Sequence, residues 1–67
     1  MSVARVTEIT ASSSKSFEDA LHLGVIRASK TLKNVTGAWI QEQKVVVENG
    51  KIVQYRVNMK VTFVLEE

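Results

Sequence analysis

Serines crowd one short stretch of the chain, at Ser12, Ser13, Ser14 and Ser16 around Lys15. A serine becomes a nucleophile only when a base within hydrogen-bond reach takes its proton. The one histidine, His22, falls at helical spacing with Glu18, Ser29 and Lys33. That spacing puts it on the outer face of a helix, where it reads as a solvated side chain. The three glycines are scattered, so no phosphate-binding loop forms. The carboxylates follow no EF-hand spacing. There is no cysteine, which excludes disulfides and thiolate metal sites. With a lone histidine and Asp19 as the only aspartate, no dedicated metal site is expected. The chain is expected not to be an enzyme.

Groups that could bind a ligand stand out more. Trp39 is the only tryptophan, and Arg56 lies among polar residues of a later segment. Trp39 has two readings. It is either an interface residue packed on a neighbouring subunit, which is preferred, or a stacking platform for a planar ligand. Arg56 offers donors only and suits a phosphate or carboxylate.

These residues must be held by elements, and one run organises the rest. Val53, Tyr55, Val57, Met59, Val61, Phe63 and Leu65 alternate with Gln54, Arg56, Asn58, Lys60 and Thr62; only Val64 breaks the pattern. Period-two alternation predicts a strand with one apolar and one polar face. The run far exceeds the usual strand of about 5–6 residues. At roughly 3.3 Å per residue it reaches about 43 Å. It is expected to be the central strand, with surplus length contacting other subunits.

Val3–Thr10, rich in β-branched residues, predicts a first strand. Ala11–Ser16 is expected to be a loop, with Ser16 as helix N-cap and Asp19 in the first turn. From Phe17 to about Lys33 the period becomes helical. Phe17, Leu21, Gly24, Ala28 and Leu32, with Ala20 and Val25 beside them, form the face toward the sheet. Gly24 costs about 1 kcal/mol of helix propensity against Ala; close packing and a tolerated flaw both account for it. Leu23 and Ile26 make a second apolar patch that favours a subunit contact. Asn34 is a plausible stop.

Ala38–Glu48 predicts a second strand, and Asn49-Gly50 a two-residue type I′ hairpin. An unbroken ladder from that turn pairs Glu48 with Lys51, Val46 with Val53, Lys44 with Tyr55, Glu42 with Val57, Ile40 with Met59 and Ala38 with Val61. Its other face pairs Val45 with Gln54, Gln43 with Arg56, Gln41 with Asn58, Trp39 with Lys60 and Gly37 with Thr62. A bulge would shift this register by one and exchange the faces. The helix takes the face carrying Tyr55, Val57, Met59, Val61 and Phe63. The expected fold class is α+β, in the order β-α-β-β. Its three-stranded antiparallel sheet has the third strand in the middle, and a right-handed crossover leads through the helix.

The sequence has 67 residues, expected to form a single domain over 1–67. So short a chain is marginal alone, and oligomerisation is the remaining stabiliser. Its hydrophobic content of 45% suits a folded chain. Nine basic and seven acidic residues give a net charge of +2, too balanced to imply nucleic-acid binding. No apolar run approaches the roughly 20 residues of a membrane span, and the N-terminus lacks the core of a secretion signal. A soluble, cytoplasmic protein is expected, with no nucleic-acid or membrane partner.

The segments Ser13-Ser14-Lys15-Ser16-Phe17-Glu18-Asp19-Ala20, Arg27-Ala28-Ser29-Lys30-Thr31-Leu32-Lys33-Asn34, Glu42-Gln43 and Tyr55-Arg56-Val57-Asn58-Met59-Lys60-Val61-Thr62-Phe63 together resemble the dodecin family. The resemblance covers nearly the whole chain. It implies a sheet wrapped partly around the helix and assembly into a hollow homo-dodecamer. It also implies paired flavins, of the riboflavin or FMN type, held between subunits for storage. In flavin-binding dodecins a Trp stacks on the isoalloxazine a few residues after the segment ending at Asn34. That position here is Gly37, and Trp39 stands two residues later. A Gln follows the Tyr of the last strand in those proteins; here it is Arg56. Other dodecin-like proteins lack the flavin pair, and some hold ions. The candidate ligand-binding residues, at a subunit interface, are Gly37, Trp39, Gln43 and Arg56. The expected function is a dodecin-like binding and storage assembly with weak or altered flavin binding, for a small planar or anionic ligand. The alternative is a structural cage holding ions or an anionic cofactor.

Overall fold

The computed structural model describes residues 3–65. Strand β1 (Ala4–Ser13) is followed by helix α1 (Phe17–Thr31), strand β2 (Val35–Glu48) and strand β3 (Lys51–Val64). All pairings are antiparallel, and the order across the sheet is β1-β3-β2. The alternating run is the central strand, and its apolar face is the core. Val57, Met59 and Val61 are fully buried there. The small residues Ala20, Gly24 and Ala28 of α1 are buried against them, flanked by Phe17, Leu21, Val25 and Leu32.

Gly24 has a packing reason. A Cβ there would lie 2.5 Å from Met59 Cε, 3.1 Å from Met59 Sδ and 3.2 Å from Ala11 Cβ. The helix therefore approaches the sheet closely at this point, which offsets the propensity loss. Phe17 fixes one end of α1 through an edge-on contact with Tyr55, ring centroids 5.2 Å apart.

β1 runs further than expected. The serines from Ser12 onward do not begin a loop; Ser12 pairs with Arg56 and Ser13 with Tyr55. Ser13 is buried. Its hydroxyl donates to the Asp19 carboxylate at 2.6 Å and accepts from the Lys15 N–H at 2.9 Å. Ser16 caps the helix by accepting from the Asp19 N–H at 3.0 Å. The serine cluster is thus a strand-to-helix corner, in which the Ser13 and Ser16 hydroxyls satisfy groups that the turn leaves open.

β2 starts at Val35, three positions before the expected Ala38, because Asn34 at φ 62° turns the chain straight back onto the sheet. The Asn34 carbonyl then accepts from the Val64 N–H at 3.0 Å. At the hairpin, Asn49 and Gly50 both take positive φ, 53° and 76°, as a type I′ turn requires.

The unbroken ladder is corrected by bulges. Glu48–Lys51, Ile40–Met59, Ala38–Val61, Trp39–Lys60 and Gly37–Thr62 pair as expected. Between Val46 and Glu42 the register is offset by one. Val46 pairs with Gln54, Val45 with Tyr55, Lys44 with Arg56, Gln43 with Val57 and Glu42 with Asn58. Val53 on β3 and Gln41 on β2 bound this offset as extra residues without a partner across that pair of strands, and a further shift lies between Val35 and Gly37. The unbroken ladder sets Lys44 and Glu42 on the helix side, opposite Tyr55 and Val57. The offset puts Val45 and Gln43 there instead and turns both charges to the other face.

The sheet outreaches its supports. β1 ends opposite Tyr55, while the β2–β3 hairpin continues to the Asn49-Gly50 turn. The molecule measures 51 × 19 × 13 Å.

Candidate functional site

The face of the sheet turned away from α1 is built in rows across the three strands. One row is Ser12, Arg56 and Lys44; the next is Thr10, Asn58 and Glu42; the third is Glu8, Lys60 and Trp39. Val6, Thr62 and Gly37 form a fourth. Rows lie about 7 Å apart, two residues along each strand.

The first row holds a hydroxyl, which donates and accepts, and two donor-only cations, a guanidinium and an ammonium. Arg56 Nη2 donates to Gln54 Oε1 at 3.3 Å, which steadies the guanidinium along β3. In the second row Asn58 Nδ2 donates to Glu8 Oε2 at 2.9 Å. That bond fixes the amide orientation, and Asn58 Oδ1 is left buried without a partner. A buried acceptor without a donor costs about 1–3 kcal/mol. Thr10, Glu42, Lys44, Arg56 and Asn58 line a cavity of about 280 Å³. Ligand pockets run from roughly 300 to 1,000 Å³, so one chain encloses room for part of a ligand only.

Three of the four candidate residues share this face. Gly37, near the start of β2, lies opposite Thr62, and a Cβ on it would meet nothing within 4 Å. Trp39 is 48% exposed, level with Lys60. Arg56 is partly buried beside Lys44. Gln43 does not join them. It was expected opposite Arg56, but the offset register sets it opposite Val57 on the helix side.

The spacing has a consequence for binding. Gly37 is level with Thr62, six residues along β3 from Arg56, or about 20 Å. No single planar ring spans that distance within one chain. One planar ring on a single chain can therefore touch only one of the two positions.

Sequence reasoning missed Thr10, Glu42, Lys44 and Asn58. A signal was present: the unbroken ladder placed two charges against the apolar face of the central strand. Among the described residues, no group of three or more His, Cys, Asp or Glu side chains gathers to hold a metal ion. Among the same residues, no helix is long and apolar enough to cross a membrane.

Residues 3–66 match the family model described as Dodecin. Solved structures agree over almost the whole chain. The dodecin of Streptomyces davaonensis is 35% identical, with a TM-score of 0.94 over 98% of this chain and 97% of that one. The dodecin of Streptomyces coelicolor is 30% identical, with a TM-score of 0.94 over 98% and 94%. A calcium-chelating dodecin of Mycobacterium tuberculosis is 32% identical, with a TM-score of 0.83 over 96% and 91%. A sequence search of curated proteins found no match.

Proposed function

This chain belongs to the dodecin family, and on that premise we propose that it is a non-enzymatic small-ligand binding and storage protein. It works as a homo-oligomer, a dodecamer, with weakened flavin binding and a preference for an anionic group. The observation that carries this reading is the row Ser12–Arg56–Lys44, whose Arg56 and Lys44 line the polar cavity. Two adjacent cations and a hydroxyl favour phosphate or carboxylate. In the same row Arg56 and Lys44 only donate, so Arg56 cannot accept from the imide N–H of a flavin as a Gln amide would.

Open space at Gly37 supports the same reading. The stacking surface that the resemblance puts at this position is missing, and Trp39 is one row removed. Stacking contributes about 0.5–1.5 kcal/mol beyond buried area, and an unpaired polar group costs about 1–3 kcal/mol. Together these losses weaken flavin binding by about 10- to 2,000-fold. The test is titration of riboflavin and FMN into the purified oligomer, read by flavin fluorescence. Weak or no quenching is expected, with FMN bound more tightly than riboflavin through its phosphate. Submicromolar quenching by riboflavin would overturn the proposal.

A second reading is a cage that holds ions. Glu42 and the unpartnered Asn58 Oδ1 on the same face favour it, as does the calcium-chelating relative. Elemental analysis and native mass spectrometry of gently purified protein separate the two. Stoichiometric metal favours the cage, and a retained organic anion favours the storage reading.

A further inference from the structure

On the polar face the charges are sorted by row. Arg56 and Lys44 stand in the row with Ser12, and Glu42 stands in the next row with Thr10 and Asn58. Glu8, in the third row, leans back toward the second, since its Oε2 accepts from Asn58 Nδ2 at 2.9 Å. The face is thus positive in one row and negative in the next, over a step of about 7 Å. Glu42 is the diagonal neighbour of Arg56 and lies two residues along β2 from Lys44, within reach of such long side chains. Neither pair closes. Arg56 turns instead to Gln54, and Glu42 and Lys44 make no side-chain hydrogen bond or ion pair among the described residues.

The three charges line one cavity with Thr10 and Asn58. Arg56 and Asn58, on the central strand, are half-buried, and Glu42 and Lys44 stand exposed on β2. One end of the cavity holds two cations that only donate. The other end is rich in acceptors. Asn58 Nδ2 is committed to Glu8, Asn58 Oδ1 has no donor, and the Glu42 carboxylate only accepts. A simple ion answers one end alone. An anion leaves the acceptors of the second row unmatched, and a cation is repelled by Arg56 and Lys44.

We propose that the cavity takes a short ω-amino acid, with its carboxylate on Arg56 and Lys44 and its ammonium on Glu42 beside Asn58. The step between rows requires the two charges at opposite ends of a short chain. An α-amino acid carries both on one carbon and reaches only one row well. The cavity of about 280 Å³ lies just under the roughly 300–1,000 Å³ of drug-sized sites, which suits so small a ligand. This inference rests on the anion-binding reading of the row Ser12–Arg56–Lys44 and gives that ligand its second charge.

The probes are 4-aminobutyrate, its isomer 2-aminobutyrate, butyrate, butylamine and inorganic phosphate. Each is titrated into the purified protein and read by saturation-transfer NMR of the probe, with phosphate read by competition. The expected result is that 4-aminobutyrate binds about 10-fold more tightly than 2-aminobutyrate, butyrate or butylamine. Glu42→Gln should bring 4-aminobutyrate down to the affinity of butyrate, and Arg56→Gln should weaken both. Equal binding of 4-aminobutyrate and butyrate, or binding of phosphate alone, would overturn the proposal and leave the anion-binding reading standing. Equal binding of 2-aminobutyrate or butylamine would overturn it as well. If no probe binds, the proposal and the reading it rests on fall together.

Discussion

The two faces of the sheet follow different rules. On the helix side Val57, Met59 and Val61 are fully buried, the helix comes close enough for Gly24 to touch Met59, and every position is decided by volume. On the other side charged and polar residues stand in rows, Asn58 Oδ1 has no partner, and Trp39 is half open to water. One face specifies the fold, and the other is free to specify a ligand. The bulges at Gln41 and Val53 leave Glu42 and Lys44 on the second face.

If this division holds, substitutions on the two faces should separate stability from binding. Met59→Ala is expected to be the most damaging, at about 2–5 kcal/mol by denaturant unfolding, since it opens a cavity at the centre of the core. Gly24→Val should cost about 1–3 kcal/mol, because the new methyls overlap Met59. A stabilised Gly24→Val protein would show that the approach of helix to sheet is loose. Ser13→Ala removes the bond to Asp19 and the acceptor for the Lys15 N–H. About 1–2 kcal/mol is expected, with earlier fraying of the helix start by amide exchange. The paired change Gly37→Trp with Arg56→Gln should shift stability by no more than about 0.5 kcal/mol. The same pair should strengthen riboflavin quenching by at least about 10-fold. A large stability loss with unchanged quenching would break the comparison.

Local signals were legible wherever one residue's chemistry decides the geometry. The alternation of β3, the positive φ of Asn49 and Gly50, and the Ser16 cap are of this kind. Ser13 was misread because a serine run looks like a loop in isolation. Its place in the strand depends on Tyr55 across the sheet and on Asp19 in the helix. The helix face and sheet order were legible because apolar spacing specifies burial directly. The binding face was half legible. Gly37, Trp39 and Arg56 lie on it, but Gln43 does not, and Lys44 takes its place beside Arg56. A one-residue offset carries no local sequence signal. It shows only when the whole ladder is laid out, where the unbroken register sets Glu42 and Lys44 opposite the apolar face of β3 and the offset sets Gln43 and Val45 there.

The bulge at Val53 also acts as a slack element. Val46 pairs with Gln54 and Val47 with Ile52, so β3 uses one residue more than β2 over the same length. Deleting Val53 makes those two pairs consecutive and leaves the same residues facing each other at the tip. What the deletion removes is the local bend and added twist of the bulged strand. A chain with that deletion should keep its fold and its tip pairing while its hairpin runs straighter. One unpaired valine thus works like a tuck in cloth, setting the bend of the hairpin and not the order of its pairs.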